Sequence, residues 1–221
     1  MALKKEFNVD ACSTVTGLTV LQLACVTGSQ SLFDCIMKKY PVLGVCSAQG
    51  FTAAYYAAKF GREELLLKLL ASEKSCLTPS AGQLSKILDA DLVRENDKRM
   101  LADWCRTPLH ASIENGHYKI TEILLNHALQ INDAKCILSH DRNAFTPLML
   151  AARNKDEATM KLFCKAGIWM SEEDIQIVLS TVQLEKEQKA ILKAIKNAFS
   201  DHKEQLKDEI AHSKQRPSPH P

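Results

Sequence analysis

The sequence predicts an all-α protein built as a solenoid of about four helical hairpins, and three observations carry that expectation. First, Gly17, Thr19, Ala24 and Gly28 return as Gly50, Thr52, Ala57 and Gly61, a period of 33 residues. Second, apolar pairs recur four residues apart, as in Leu32-Phe33 with Ile36-Met37 and Leu65-Leu66 with Leu69-Leu70, which is helical and not strand spacing. Third, each copy opens on a threonine, a residue that can cap exposed N–H groups at a helix start.

The hairpins follow in order. In the first, Thr19 opens one helix, Gly28 ends it in a left-handed turn, and Leu32 to Met37 supply the second. The second hairpin repeats this with Thr52, Gly61 and Leu65 to Leu70. A third copy reads Thr107-Pro108-Leu109-His110, then Gly116-His117, then Ile120 and Leu124-Leu125. A fourth reads Thr146-Pro147-Leu148 and Ala151-Ala152, with Lys155 at the glycine position and Phe163-Cys164 at the double leucine. Proline after the threonine costs no needed donor, because the first N–H groups of a helix have no partner inside it. No single hairpin can bury its own apolar faces, so neighbours must stack, and four copies meet the need for about three or more.

The period breaks twice. Thr52 to Thr107 is 55 residues and Thr107 to Thr146 is 39, so 22 and six residues are added to the repeat length. Within the longer addition, Thr78-Pro79 followed by Leu84, Ile87, Leu88 and Leu92 reads as one inserted, capped helix between repeats two and three. On this reading the long addition divides the stack into pairs and makes its surface discontinuous. After the fourth copy, Ser171 with Glu172, Glu173 and Asp174 opens a C-terminal capping helix. From Leu184 a Lys- and Glu-rich stretch places Ile191, Ile195, Phe199, Leu206 and Ile210 on one helical stripe, with Gln188 and His202 interrupting it. The expected organisation is an extension at 1–15, repeats at 16–170 (16–48, 49–70, 104–128 and 143–168), an insert at 71–103, capping and amphipathic helices at 171–212, and a tail at 213–221.

The threonine-proline-leucine-histidine turn, the alanine pair, the glycine-histidine and the double leucine together resemble the ankyrin-repeat family over roughly residues 16 to 168. Repeats one and two are degenerate, with Val20 and Gln22, then Ala53 and Tyr55, in place of proline and histidine. The resemblance implies a protein-binding scaffold whose concave side is formed by the hairpin tips before each threonine and by two first-helix positions before each glycine. Counting places Phe51, Lys59 and Phe60 there from repeat two, Trp104, Arg106, Glu114 and Asn115 from repeat three, and Arg142, Phe145 and Arg153 from repeat four. Aromatic and arginine side chains dominate protein interfaces, so this set fits a partner that offers acidic residues around an apolar anchor. Trp104→Ala with Arg106→Ala is expected to weaken partner capture and to leave helical content and melting nearly unchanged.

Other functions find little support. Net charge is +2, from 28 Lys and Arg against 26 Asp and Glu, so no field favours nucleic acid. Ala11 to Phe33 carries no charge, yet its nine Ser, Thr and Gln residues make it too polar to insert in a membrane. Glu6, Asn8 and Asp10 stand where a secretory segment would need an apolar run, so the expected place is the cytoplasm, or the nucleus. The eight cysteines form no CxxC pair and read as thiols. Cys105, His110 and His117 lack a fourth ligand at zinc spacing, and no phosphate loop or catalytic signature is present. The expectation is therefore a non-enzymatic adaptor, inhibitor or targeting subunit without cofactor or metal. The alternative is a structural segment or short isoform of a larger array such as a scaffold or membrane-channel tail, with homotypic contact through the N-terminal face left open.

Overall fold

The computed structural model describes residues 8–72, 106–141 and 143–214, with side chains to residue 200, and these form eleven helices and no strand. The chain divides into two compact units, Met1–Pro147 and Leu148–Pro221. The all-α fold class expected from the sequence is the one observed.

In the first unit α1 (Val20–Thr27) pairs with α2 (Gln30–Met37), α3 (Ala53–Lys59) with α4 (Glu63–Ser72), and α5 (Pro108–Glu114) with α6 (Tyr118–Gln130). The first helices are short and carry alanine where they meet, so α1 packs on α3 and α3 on α5 with Ala24, Ala57, Ala58 and Ala111 fully buried. The longer second helices bury leucine stripes, Leu65, Leu66, Leu69 and Leu70 in α4 and Ile120, Leu124 and Leu125 in α6. Gly28, Gly61 and Gly116 lie at φ of 75°, 70° and 70°, the left-handed turn expected between the paired helices.

The inserted helix predicted near residue 80 lies outside the described residues. The expected break in the stack is corrected: α3 packs directly on α5 and α4 contacts α6. Lys119 of α6 is paired with Glu63 of α4 at 2.7 Å, and His117 Nε2 meets the Lys59 carbonyl at 3.2 Å. Repeats one to three are therefore one continuous stack. The second addition is a short helix, α7 (Ala134–Leu138), capped by Asp133, whose carboxylate accepts from Cys136 N at 3.1 Å. It packs on α5 and α6.

In the second unit α8 (Pro147–Arg153) is followed by α9 (Glu157–Lys165), α10 (Glu172–Ser180) and α11 (Glu185–Lys214). α10 begins at the capping box read from the sequence, with Ser171 and Asp174 each bonding the other's backbone N–H. It is α11 that covers α9, burying Ile191, Ala194, Ile195 and Ala198. Gln188, which breaks the apolar stripe of α11, donates to the carbonyls of Leu179 and Val182 and so closes the end of α10. Trp169 packs on Phe199 with ring centroids 5.7 Å apart.

Candidate functional site

Among the described residues the hairpin tips are tight turns, each held by one polar side chain. At the second tip Ser47 N donates to the Phe51 carbonyl at 2.8 Å, and the Ser47 hydroxyl accepts from Gln49 N and Phe51 N. At the next described tip Asp141 N donates to the Phe145 carbonyl at 2.8 Å, and Asp141 Oδ1 accepts from Asn143 N and Phe145 N. Both tips end on a threonine, Thr52 or Thr146, from which the first helix starts.

The third residue of the first helix then ties one repeat to the next. His110 Nδ1 accepts from Thr107 N at 3.1 Å, so Nε2 carries the proton and donates to the Phe145 carbonyl at 2.9 Å. Gln22 does the same with its amide. Oε1 accepts from Thr19 N at 2.9 Å, and Nε2 donates to the carbonyls of Val45 at 2.8 Å and Phe51 at 3.1 Å. In repeat two Tyr55 occupies this position, stacks on Phe51 at 3.9 Å and turns its hydroxyl toward Arg106. Burial pushes the Tyr55 phenol up to about 12, against a smaller lowering by that guanidinium. Burial likewise lowers His110 to about 4.

Arg106 is the centre of a charge cluster. Its Nη1 donates to Glu114 Oε2 at 2.8 Å, and its Nε lies 3.6 Å from Asp141 Oδ2. The Asp141 side chain is 1% exposed, and Oδ2 has no hydrogen-bond partner, so Arg106 is the charge that balances it. Burial works against the Arg106 charge, but Glu114, then Tyr55 and Asp141, outweigh it and raise its pKa. Asp141 was not among the expected site residues. Its position four residues before Phe145 matches Ser47 before Phe51, and that spacing was the available signal.

The two columns predicted by counting behave differently. The column before the glycine turn is open: Lys59, Phe60, Glu114 and Asn115 in the first unit and Arg153 in the second are all exposed. The Lys59 ammonium lies 5.9 Å from the Phe60 ring centroid, and Phe60 is 40% exposed. Asn115 bends its amide back to the Ala111 carbonyl at 2.8 Å. The column before the threonine turns inward. Phe145, expected on the binding surface, is 1% exposed and belongs to the core, because its backbone closes the tip and receives His110. Phe51 is half-buried with one ring face against Tyr55, and the Arg106 side chain is 17% exposed. Trp104 and Arg142 lie outside the described residues.

Among the described residues no group of three or more His, Cys, Asp or Glu is placed to hold a metal ion. Burial raises the thiols of Cys25 to about 12 and of Cys164 to about 11, so both are protonated core thiols near neutral pH. No helix among the described residues is long and apolar enough to cross a membrane.

Residues 81–177 match the family model for ankyrin repeats, in three copies. No curated protein matches the chain. The match omits the first two repeats, yet Gln22 makes there the bonds that His110 makes within it.

Proposed function

This chain belongs to the ankyrin-repeat family, whose repeats generally mediate protein–protein contacts, and we propose that it is a non-enzymatic module holding another protein on its exposed first-helix ends. The observation that carries this reading is the exposed pair Lys59 and Phe60, beside the exposed but locally bonded Glu114 and Asn115, on two repeats that pack without a gap. Side chains that serve the stack are buried or paired, as Phe145, Tyr55 and Arg106 are. Lys59 and Phe60 are exposed, and an exposed aromatic under an ammonium group suits an acidic residue beside an apolar one. In such a module the partner decides whether it acts as adaptor, inhibitor or targeting subunit.

The test is affinity capture from cell lysate on the immobilised full chain beside the Lys59→Glu/Phe60→Ser variant. The double variant should keep its circular dichroism and melt within a few degrees of wild type, since exposed substitutions cost about 0.5 kcal/mol or less each, while losing the captured partner. Arg106→Ala serves as contrast: it strands the Asp141 carboxylate and should cost roughly 2 kcal/mol in a urea titration. Capture of the same proteins by wild type and by Lys59→Glu/Phe60→Ser would remove this face as the binding surface.

A further inference from the structure

The N-terminal segment before α1 lies along the connection that leads into the second hairpin tip. Asp10 Oδ1 accepts from Val42 N at 3.0 Å, Cys12 Sγ donates to the Cys46 carbonyl at 3.5 Å, and Ala48 N donates to the Gly17 carbonyl at 2.7 Å. The contact is close, since a Cβ on Gly17 would stand 2.7 Å from that of Ala48. Two cysteines separated by 34 positions are thus brought side by side at the edge of the stack, one exposed and one half-buried. Both thiols also face the Tyr56 phenol, whose hydroxyl donates to Ser47 Oγ at 3.0 Å. Neither thiol belongs to the apolar core, where Cys25, Cys136 and Cys164 lie. The surface that contains Lys59 and Phe60 does not use them.

We propose that Cys12 and Cys46 form a reversible disulfide when the chain meets hydrogen peroxide, stapling the N-terminal segment to the tip of the second repeat. Cys12, the exposed sulfur, attacks the peroxide as thiolate. An S–O bond forms, the O–O bond breaks, hydroxide leaves and takes up a proton as water, and Cys12 becomes a sulfenic acid. Cys46 then attacks the Cys12 sulfur. The S–S bond forms, the S–O bond breaks, and the Cys46 proton leaves with the hydroxyl group as a second water. The two thiols lose two electrons and two protons in all, and the peroxide is reduced by the same two electrons. The disulfide requires both sulfurs to turn from their present carbonyl contacts to a bond of about 2.05 Å. Burial raises both thiols, Cys46 to about 11, so the thiolates are scarce near neutral pH and the reaction should quicken as pH rises.

The experiment treats the reduced full-length chain with hydrogen peroxide, alkylates the remaining thiols, and reads intact mass and cross-linked peptides by tandem mass spectrometry. The expected product has lost two hydrogens, carries a Cys12–Cys46 link, and returns to the starting mass with a thiol reductant. The link should be absent from Cys12→Ser and Cys46→Ser and unchanged in Cys35→Ser, whose thiol is also exposed. Oxidised wild type should melt about 5 °C above reduced wild type, because closing a loop of this length restricts the unfolded chain. Both serine variants should show no rise, and their reduced melts confirm that they fold. Oxidation of Cys12 to the sulfinic acid without a cross-link, or its linkage to another cysteine or a second chain, overturns the proposal.

Discussion

Gln22 and His110 stand at one position in two repeats and make one pair of bonds, an acceptor for the N–H of the capping threonine and a donor for the carbonyl of the next tip. They differ in what acid does to them. His110 is neutral and held near 4 by burial, below the ordinary value of 6.5 that it regains on unfolding. As pH falls, the unfolded chain takes the proton first. The stabilisation is therefore complete above about pH 6.5 and is lost progressively toward pH 4. Asp141, Glu114 and Arg106 face the imidazole, the carboxylates favouring its charge and the guanidinium opposing it. His110→Gln should fold, because Gln22 already serves that geometry. Between pH 7 and pH 4.5 the wild type should lose roughly 2 to 3 kcal/mol more than the variant by urea titration, and equal losses would show that His110 does not set the acid limit. This equivalence was hidden in the sequence, where glutamine reads as a departure from a histidine motif. Counting likewise found the exposed Lys59, Phe60, Glu114 and Asn115, but placed Phe145 beside them because spacing does not say which way a tip residue turns.

At the scale of elements the hairpins were legible, because caps, alanine contacts and leucine stripes are local signals with fixed spacing. The short helix α7 was not: its five residues are too few to show a period, and only the six-residue excess hinted at added structure. The turns between helices show where the repeat is imperfect. Gly17 and Gly50 hold left-handed turns at two tips with φ of 69° and 82°, and Ala144 holds the same turn at φ 61°. Its N–H donates to the Asp141 carbonyl as that of Gly50 does to Ser47. Lys155 at φ 61° likewise fills the place of Gly28, Gly61 and Gly116. A side chain in this conformation costs about 1 to 2 kcal/mol, partly offset by the greater freedom that glycine has when unfolded. Ala144→Gly and Lys155→Gly should each stabilise by about 0.5 to 1 kcal/mol in thermal or urea melts, and the two should add, since they lie in separate turns of separate compact units. Destabilisation by either would mean that the removed side chain contributes more by its contacts than the turn loses by strain.

At the scale of the whole molecule, a break in period reads as a break in the stack, and the packing of α3 on α5 departs from that for a general reason. The repeat surfaces that must meet are set by the helices, whereas the chain between them has only to reach. The connection from Met37 to Thr52 spans 14 residues and that from Ser72 to Thr107 spans 34, yet α1 on α3 and α3 on α5 are the same kind of contact. Two polar ties repeat across the two junctions as well. Arg62 lies over Gly28 and donates to the Val26 carbonyl at 3.2 Å, and His117 lies over Gly61 and meets the Lys59 carbonyl. Lys68 pairs with Asp34 at 2.6 Å as Lys119 pairs with Glu63. Lengthening a loop costs only about 0.6 kcal/mol per doubling, so the longer connection is thermodynamically cheap. It follows that residues 73–105 can be replaced by 13 glycine and serine residues, which with Arg106 kept reproduces the length of the first connection. The shortened chain should keep slow hydrogen exchange in α3 and α5 and melt within a few degrees of wild type, because Ala57, Ala58, Leu109 and Ala111 stay buried against one another's helices. Fast exchange confined to α5 and α6 would assign the replaced residues a share in holding the third repeat on the second.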